Sequence, residues 1–280
     1  MRTAHQCLLG SLAFVALAAG GAASAADLPA RQAFKAPAVA PEPTYNWGGF
    51  YVGGNAGYAW GSSDAVTTAD GVGTYFANSS PPAINALGSG TIHSNGFAGG
   101  VEAGYNWQAG SWVAGVESDF GAFDLNGSRT ATGVYPCCAP STFTINQQVS
   151  TDWLFTARGR LGWVWNNVLF YGTGGVAVTD LKYTNSFSDN FAGVFFGLPA
   201  FNAAEGGSVS QTKVGWVAGG GVETALSGNW SVKAEYLYID FGSISSTGTL
   251  TAFQGLSTAP FSHSTNLSAG IARAGVNYKF

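Results

Sequence analysis

The chain has 280 residues, with 11 Lys or Arg and 15 Asp or Glu, so 9% of it is charged where a soluble domain carries about a quarter. Glycine supplies 41 residues and aromatics 14%, yet mean hydropathy is only +0.14. These figures exclude an ordinary soluble surface and a bundle of apolar helices alike, and scattered basic residues under a net charge of −4 offer no stripe for nucleic acid.

The one long apolar run, from Cys7 to Ala19, follows Arg2 and precedes Ala23-Ser24-Ala25. It is too short to span a bilayer and ends in a small-residue cleavage pattern, which predicts a cleaved signal peptide over residues 1–25, with a cut after Ala26 as the alternative. Residues 26–46 hold Pro29, Pro37, Pro41 and Pro43 among alanines and read as a flexible periplasmic tail. The remaining domain covers residues 47–280.

From Trp47 onward the apolar period is two, so each segment divides into two faces. Residues 48–60 set Phe50, Val52, Ala56, Tyr58 and Trp60 against Asn55 and small residues. Residues 95–107 set Phe97, Val101, Ala103, Tyr105 and Trp107 against Glu102, and residues 112–123 set Trp112, Ala114, Val116 and Phe120 against Glu117 and Asp119. In residues 152–165 the faces are Trp153, Phe155, Ala157, Leu161, Trp163 and Trp165 against Arg158 and Arg160. Residues 168–182 oppose Phe170, Val176 and Val178 to Tyr171 and Thr173, and residues 212–225 oppose Val214, Trp216, Ala218 and Val222 to Lys213 and Glu223. Residues 230–241 set Trp230, Val232, Ala234, Tyr236 and Tyr238 against Lys233 and Glu235. The last segment, 266–280, sets Val276, Tyr278 and Phe280 against Arg273, Asn277 and Lys279. Leu237, Ile239 and Ile271 break the pattern by falling on the polar face.

Most segments have 12 to 15 residues, enough for a tilted membrane strand of about 9–11. Aromatics bracket them as two interfacial girdles would. Alternation alone does not tell inside from outside, but a charged outer face would carry far more charge than this chain has. Short connections (108–111, 166–167 and 227–229) alternate strictly with long ones, placing both termini on the short-turn side. The expectation is an all-β fold: an eight-stranded antiparallel up-and-down transmembrane β-barrel of the OmpA type, in the outer membrane, with periplasmic termini and long outer loops.

A lipid-facing Lys or Arg costs about 2–4 kcal/mol at the midplane, so the charged face turns inward. Eight strands leave an interior just wide enough for side chains. The predicted lumen network comprises Glu102, Glu117, Asp119, Arg158, Arg160, Glu223, Lys233, Glu235 and Arg273, with Lys213 and Lys279 on the same face. It forms either a plug of ion pairs or a set of solvated lumen charges permitting a narrow leak. Cys137 and Cys138 either close a local disulfide or remain two loop thiols, and no metal-ligand spacing surrounds them. His93-Ser94 and Ser262-His263-Ser264 lie at strand tops facing the outer leaflet, where a lipid-modifying site would sit, but serine is common here and a lone histidine at a strand–loop border is usually a polar loop residue, so no enzyme and no cofactor are expected. The apolar run of residues 191–201 either contacts another surface or packs on the barrel rim.

Asn46-Trp47-Gly48-Gly49-Phe50-Tyr51-Val52-Gly53-Gly54-Asn55-Ala56-Gly57-Tyr58-Ala59-Trp60 resembles the opening strand of small alphaproteobacterial outer-membrane barrels, the outer-membrane immunogenic protein and RopB-type family. Gly96-Phe97, Gly104-Tyr105-Asn106-Trp107, Ala26-Asp27-Leu28-Pro29 and Val276-Asn277-Tyr278-Lys279-Phe280 look similar too. The resemblance implies an abundant, surface-exposed, porin-like barrel without catalytic residues. Phe280 as last residue, with Tyr278 on the same face, resembles the terminal signature read by the barrel assembly machinery. Expected partners are therefore that machinery, outer-membrane lipid and lipopolysaccharide, and host or environmental surface ligands met by the loops. The expected role is structural, with adhesive or immunogenic loops; a small diffusion channel is the alternative, and a lipid-modifying enzyme ranks third.

Overall fold

The computed structural model describes residues 45–71 and 75–280, so the predicted signal peptide and all but the last two residues of the predicted tail lie outside the described residues. Its strands are β1 (Gly49–Ala69), β2 (Gly90–Ala109), β3 (Trp112–Phe123), β4 (Asn126–Val134), β5 (Thr142–Trp165), β6 (Val168–Asp189), β7 (Ala204–Ala225), β8 (Trp230–Ala252) and β9 (Ser257–Lys279). Each pairs antiparallel with its neighbours, and β1 pairs with both β2 and β9, which closes the ring. β3 and β4 succeed one another along a single stave beside β5, interrupted at Asp124-Leu125. Nine strands thus make the expected barrel of eight staves, closed all round at the short-turn end, whereas residues 205–215 of β7 and 241–250 of β8 do not pair with one another.

The strands are longer than the periodicity predicts. Apart from the β3–β4 stave they have 20 to 24 residues, and much of the long connections left between the predicted segments, residues 61–94, 183–211 and 242–265, is strand. The cause is a reversal of polarity along each stave. Near the short-turn end the outward side chains are apolar, as at Trp107 (56% exposed) and Val214 (68%), and the inward ones are charged. Nearer the long-loop end the outward side chains are Thr130, Asn146, Thr184 and Ser208, whereas Ile92, Leu125, Val149, Leu181 and Tyr183 are buried inside. The period of two never stops, but the apolar face changes sides. Leu237, Ile239 and Ile271, the exceptions on the polar face, are fully buried where the reversal begins.

Two bulges adjust which residues point inward. Between Thr151 and Leu154 β5 carries one residue more than β6, and between Asp240 and Ser243 β8 carries one more than β9. The inward residues of β8 therefore pass from odd positions, ending at Phe241, to even ones, starting at Ile244; Gly242 supplies the left-handed conformation, φ +65°, that this needs. At the long-loop end the connections carry α1 (Ser80–Gly88), the tight turn that holds Cys137 and Cys138, α2 (Phe191–Phe196) and two single helical turns, Pro199–Phe201 and Phe253–Gly255.

Candidate functional site

The interior is built in layers that follow from the strand registers. Trp47, Val113, Leu169, Tyr171 and Ala225 pack together at the short-turn end. The charged layer comes next, followed by an apolar layer that includes Phe123, Leu154, Leu237, Ile239 and Ile271. A second polar layer (Thr67, Gln147, Asn185, Glu205 and His263) separates this from a second apolar cluster of Phe76, Ile84, Phe143, Phe187 and Phe261.

All nine residues predicted for the lumen network are at most 7% exposed, and the registers bring them to one level. Glu117 faces Arg158 directly across the β3–β5 pair. Arg158 reaches Glu117 at 2.5 Å, Asp119 at 2.9 Å and, across the lumen, Glu235 at 2.8 Å. Arg273 joins Asp119 at 3.1 Å to Glu235 at 2.8 Å. Lys233 lies 2.6 Å from Glu102 and 3.1 Å from Glu117, and Arg160 lies 2.8 Å from Glu223 and 3.5 Å from Glu117. Five carboxylates thus meet four cations, leaving one excess negative charge in a space with little water: the cavity between Asn55, Leu154, Asp119 and Arg273 is about 10 Å³, about the room one water needs.

Several neutral side chains complete the layer: Asn55, Tyr171 and Asn277, which the sequence placed on the polar face without joining them to the network, and Tyr51, Thr156 and Ser231, which it did not single out. The Tyr51 hydroxyl donates to Glu117 at 2.6 Å and accepts from Arg160 at 3.0 Å. Asn55 donates to Glu102, Thr156 to Asp119, and Ser231 and Asn277 to Glu223. The Arg160 guanidinium lies 4.1 Å from the Tyr171 ring centre. The available signal was their position: each is a polar residue on the inward face of its strand.

Lys213 and Lys279, expected on the same face, are not in the layer. β7 loses its register with β8 between Ala204 and Trp216, and Lys213 instead donates to the Ser243 carbonyl beside the β8 bulge. Lys279 donates to the Asn46 carbonyl and covers the Tyr45 ring at the short-turn mouth. Phe280 is 69% exposed and points outward. It packs against Phe50 at 5.7 Å and Tyr278 at 5.3 Å, and its backbone N–H donates to the Phe50 carbonyl.

The hydrolase candidates are split by the pleat. His93 points outward and Ser94 inward; His263 points inward while Ser262 and Ser264 do not. His263 meets partners that the sequence did not suggest: Thr67 Oγ1 at 3.0 Å from Nδ1 and Glu205 Oε2 at 3.4 Å from Nε2. The order hydroxyl, imidazole, carboxylate is that of a nucleophile relay, but Thr67 is 1% exposed and His263 fully buried, so no substrate atom can be placed beside the hydroxyl. These groups act as a sealed hydrogen-bonded layer, with Gln147 donating to Thr67, the Gly88 carbonyl and Tyr183.

Of the two cysteine readings the local bridge is the one present, joining Cys137 to Cys138. The run of residues 191–201 divides between its two readings. Phe191 packs on the upper apolar cluster, whereas Val194, Phe195, Phe196 and Leu198 stay 42–58% exposed.

A family model for the outer membrane protein beta-barrel domain matches residues 12–280. The 31 kDa outer-membrane immunogenic protein of Brucella melitensis biotype 1 is 31% identical over 96% of this chain and 98% of its own. The 22 kDa outer membrane protein of Rhizobium leguminosarum bv. viciae is 30% identical over 72% and 68%. Among solved structures, Neisserial surface protein A aligns over 82% of this chain and 97% of its own, at 16% identity and a TM-score of 0.31.

Proposed function

This chain belongs to the outer membrane protein beta-barrel domain family, and from that premise we propose that it is a structural, surface-exposed barrel whose lumen is closed to diffusion. The carrying observation is the charged layer. Each of its nine ionic side chains is buried and engaged by opposite charge, and apolar layers lie on either side of it. An ion crossing this level would have to displace several charge-assisted bonds at once, each shorter and stronger than a neutral hydrogen bond. Single-channel recording on the refolded protein in a planar bilayer tests the reading: no stable opening is expected, and a stable channel of defined conductance would make it a small porin.

In this reading both termini and the short turns face the periplasm, and the long-loop end stands outside the cell. The leader over residues 1–25 is removed on export and the tail from Ala26 remains in the periplasm. Tyr278, partly buried near the end of the last strand, and Phe280, exposed just beyond it, serve as the mark read by the assembly machinery through strand addition. In this reading the protein does no chemistry, which the sealing of the Thr67–His263–Glu205 arrangement inside the barrel supports. What meets host or environmental surfaces, lipopolysaccharide and antibodies is the polar outer wall and cap formed by the extended staves. The immunogenic character named for the Brucella relative fits that exposure.

A further inference from the structure

At the long-loop end, outside both polar layers, lies a cavity of about 100 Å³ that is partly open to solvent. Four of its walls are the rings of Tyr75, Phe76, Tyr135 and Phe191, and a fifth is the Cys137–Cys138 disulfide. The Tyr75 ring stands edge-on to Phe76, at 5.1 Å and 71°, and to Phe191, at 6.3 Å and 82°. Phe76 and Tyr135 are tilted by 41° at 6.5 Å. The rings thus face in different directions, as the sides of a box do.

Beside the box is a carboxylate without a counter-charge among the described residues. Both phenols donate to Asp189 Oδ2, Tyr75 at 2.6 Å and Tyr135 at 2.9 Å, and Oδ1 accepts the Ala203 backbone N–H at 2.9 Å. Asp189 is 9% exposed. Outside the lumen layer the pair of opposite charges among the described residues is Lys182–Asp152, so no cation among the described residues neutralises Asp189. Burial first, and then the Asp189 carboxylate, push both phenols above their ordinary range, so they remain donors. A phenol that donates to a carboxylate returns electron density to its ring and deepens the negative potential over the ring face, the surface that attracts cations.

We propose that this box binds a quaternary ammonium group, either on a free solute or displayed on a lipid headgroup. An alkali ion or a primary ammonium needs several oxygen acceptors to replace its water; Asp189 is already engaged by the tyrosines and the backbone, which leaves the Ser80 hydroxyl, 3.7 Å from Cys137 Sγ, as a side-chain oxygen in the lining. A quaternary ammonium needs none: its methyl groups rest on rings while its charge faces Asp189. The cavity of about 100 Å³ is partly open to solvent, so the rings can seat part of a tetrahedral head while the remainder projects outward. A lipid source is worth testing because Phe253 links Tyr75, at 6.0 Å, to the exposed Phe196, at 6.3 Å, so the box opens beside an apolar skirt.

The test uses the full mature chain refolded in a glucoside detergent, whose head carries no cation. Tetramethylammonium chloride and a neutral, water-soluble analogue of similar shape, neopentyl alcohol, are titrated separately, and binding is read by calorimetry and by saturation-transfer NMR. Saturable binding of the cation, at least about tenfold tighter than the alcohol, is expected, since one well-placed cation–π contact in a desolvated site is worth at least that much. Tyr135→Leu and, at a partly buried position on the edge of the upper cluster, Phe191→Leu should each weaken the cation by about tenfold, with retained heat-shifted migration in SDS showing that the barrel is folded. Retention on phosphatidylcholine but not phosphatidylglycerol vesicles, competed by tetramethylammonium, assigns the lipid source, and binding of the free cation without retention assigns the solute. Either result sustains the box. Equal binding of cation and alcohol, no saturable binding, or folded variants with unchanged affinity overturns it. The outcome is independent of whether the lumen conducts.

Discussion

Arg158 is the cation on which the lumen layer converges, and its removal gives the sharpest test of how that layer is held. Arg158→Met keeps most of the side chain's length and deletes its charge. It removes contacts to Glu117, Asp119 and Glu235, all nearly inaccessible to water, and raises the buried excess from one negative charge to two. Removing one partner of a buried pair costs about 3–5 kcal/mol because the other is left desolvated. Here the three carboxylates are not abandoned: Arg273 still holds Asp119 and Glu235, and Lys233 and Arg160 still hold Glu117. The loss should therefore fall at the low end, about 3 kcal/mol. With a denaturant slope of about 3 kcal/mol per molar, that lowers the urea midpoint by about 1 M.

Unfolding is followed by tryptophan fluorescence of the refolded barrel in one fixed lipid. Adding Glu235→Gln to Arg158→Met returns the excess to one negative charge and should recover about half of the shift, a non-additivity that only coupled residues produce. Lys182→Ala, which breaks an exposed pair with Asp152, should leave the midpoint unchanged. An unchanged midpoint in Arg158→Met, or a double variant no more stable than the single, would refute the reasoning and make these charges independently solvated.

The closed ring of eight staves should resist SDS without heating and migrate differently after boiling, and identical migration would contradict closure. Deleting Phe280 removes an exposed ring and one backbone hydrogen bond, so assembly in cells should fall more than refolding yield in detergent; equal losses would assign it a packing role. Phe187 is 1% exposed and packs on Phe76, Phe143 and Phe261, so Phe187→Ala should cost about 3–5 kcal/mol. That loss should be local: amide exchange should accelerate in residues 143–149 and 183–189 while amides around Arg158 stay protected, and uniform acceleration would count against a separate upper core.

The faces of the staves were legible because a strand's side chains alternate whatever the barrel does elsewhere. Glu117 and Arg158 could be placed inside from lipid cost alone. What spacing does not carry is height around a closed cylinder. Glu235 meets Arg158 across the lumen, a contact set by the shear of all eight staves rather than by any local pattern. For the same reason Lys213 could be given a face but not a level, and His263 could be found but not its partners Thr67 and Glu205. The β5 and β8 bulges hid more, since each exchanges odd for even in mid-strand.

The reversal of polarity was visible only as exceptions, yet it is the feature that locates the membrane. Against lipid the outer face must be apolar, and the inner face then takes the charges; against water the outer face must be polar, and apolar side chains can fill the interior as in a soluble barrel. The change should therefore fall at one level on neighbouring staves, and the register places it there. Trp60 and Tyr238 both pair with Gly270, and one step higher Ser62 and Asp240 both pair with Ser268. The outward face passes from two aromatics to three polar residues within one repeat of the pleat. Inside, at the same height, Ile239 and Ile271 begin the apolar packing. Leu237, Ile239 and Ile271 are thus not lapses in a transmembrane pattern. They are the first inward residues of a second barrel, of opposite polarity, built on the same strands above the lipid.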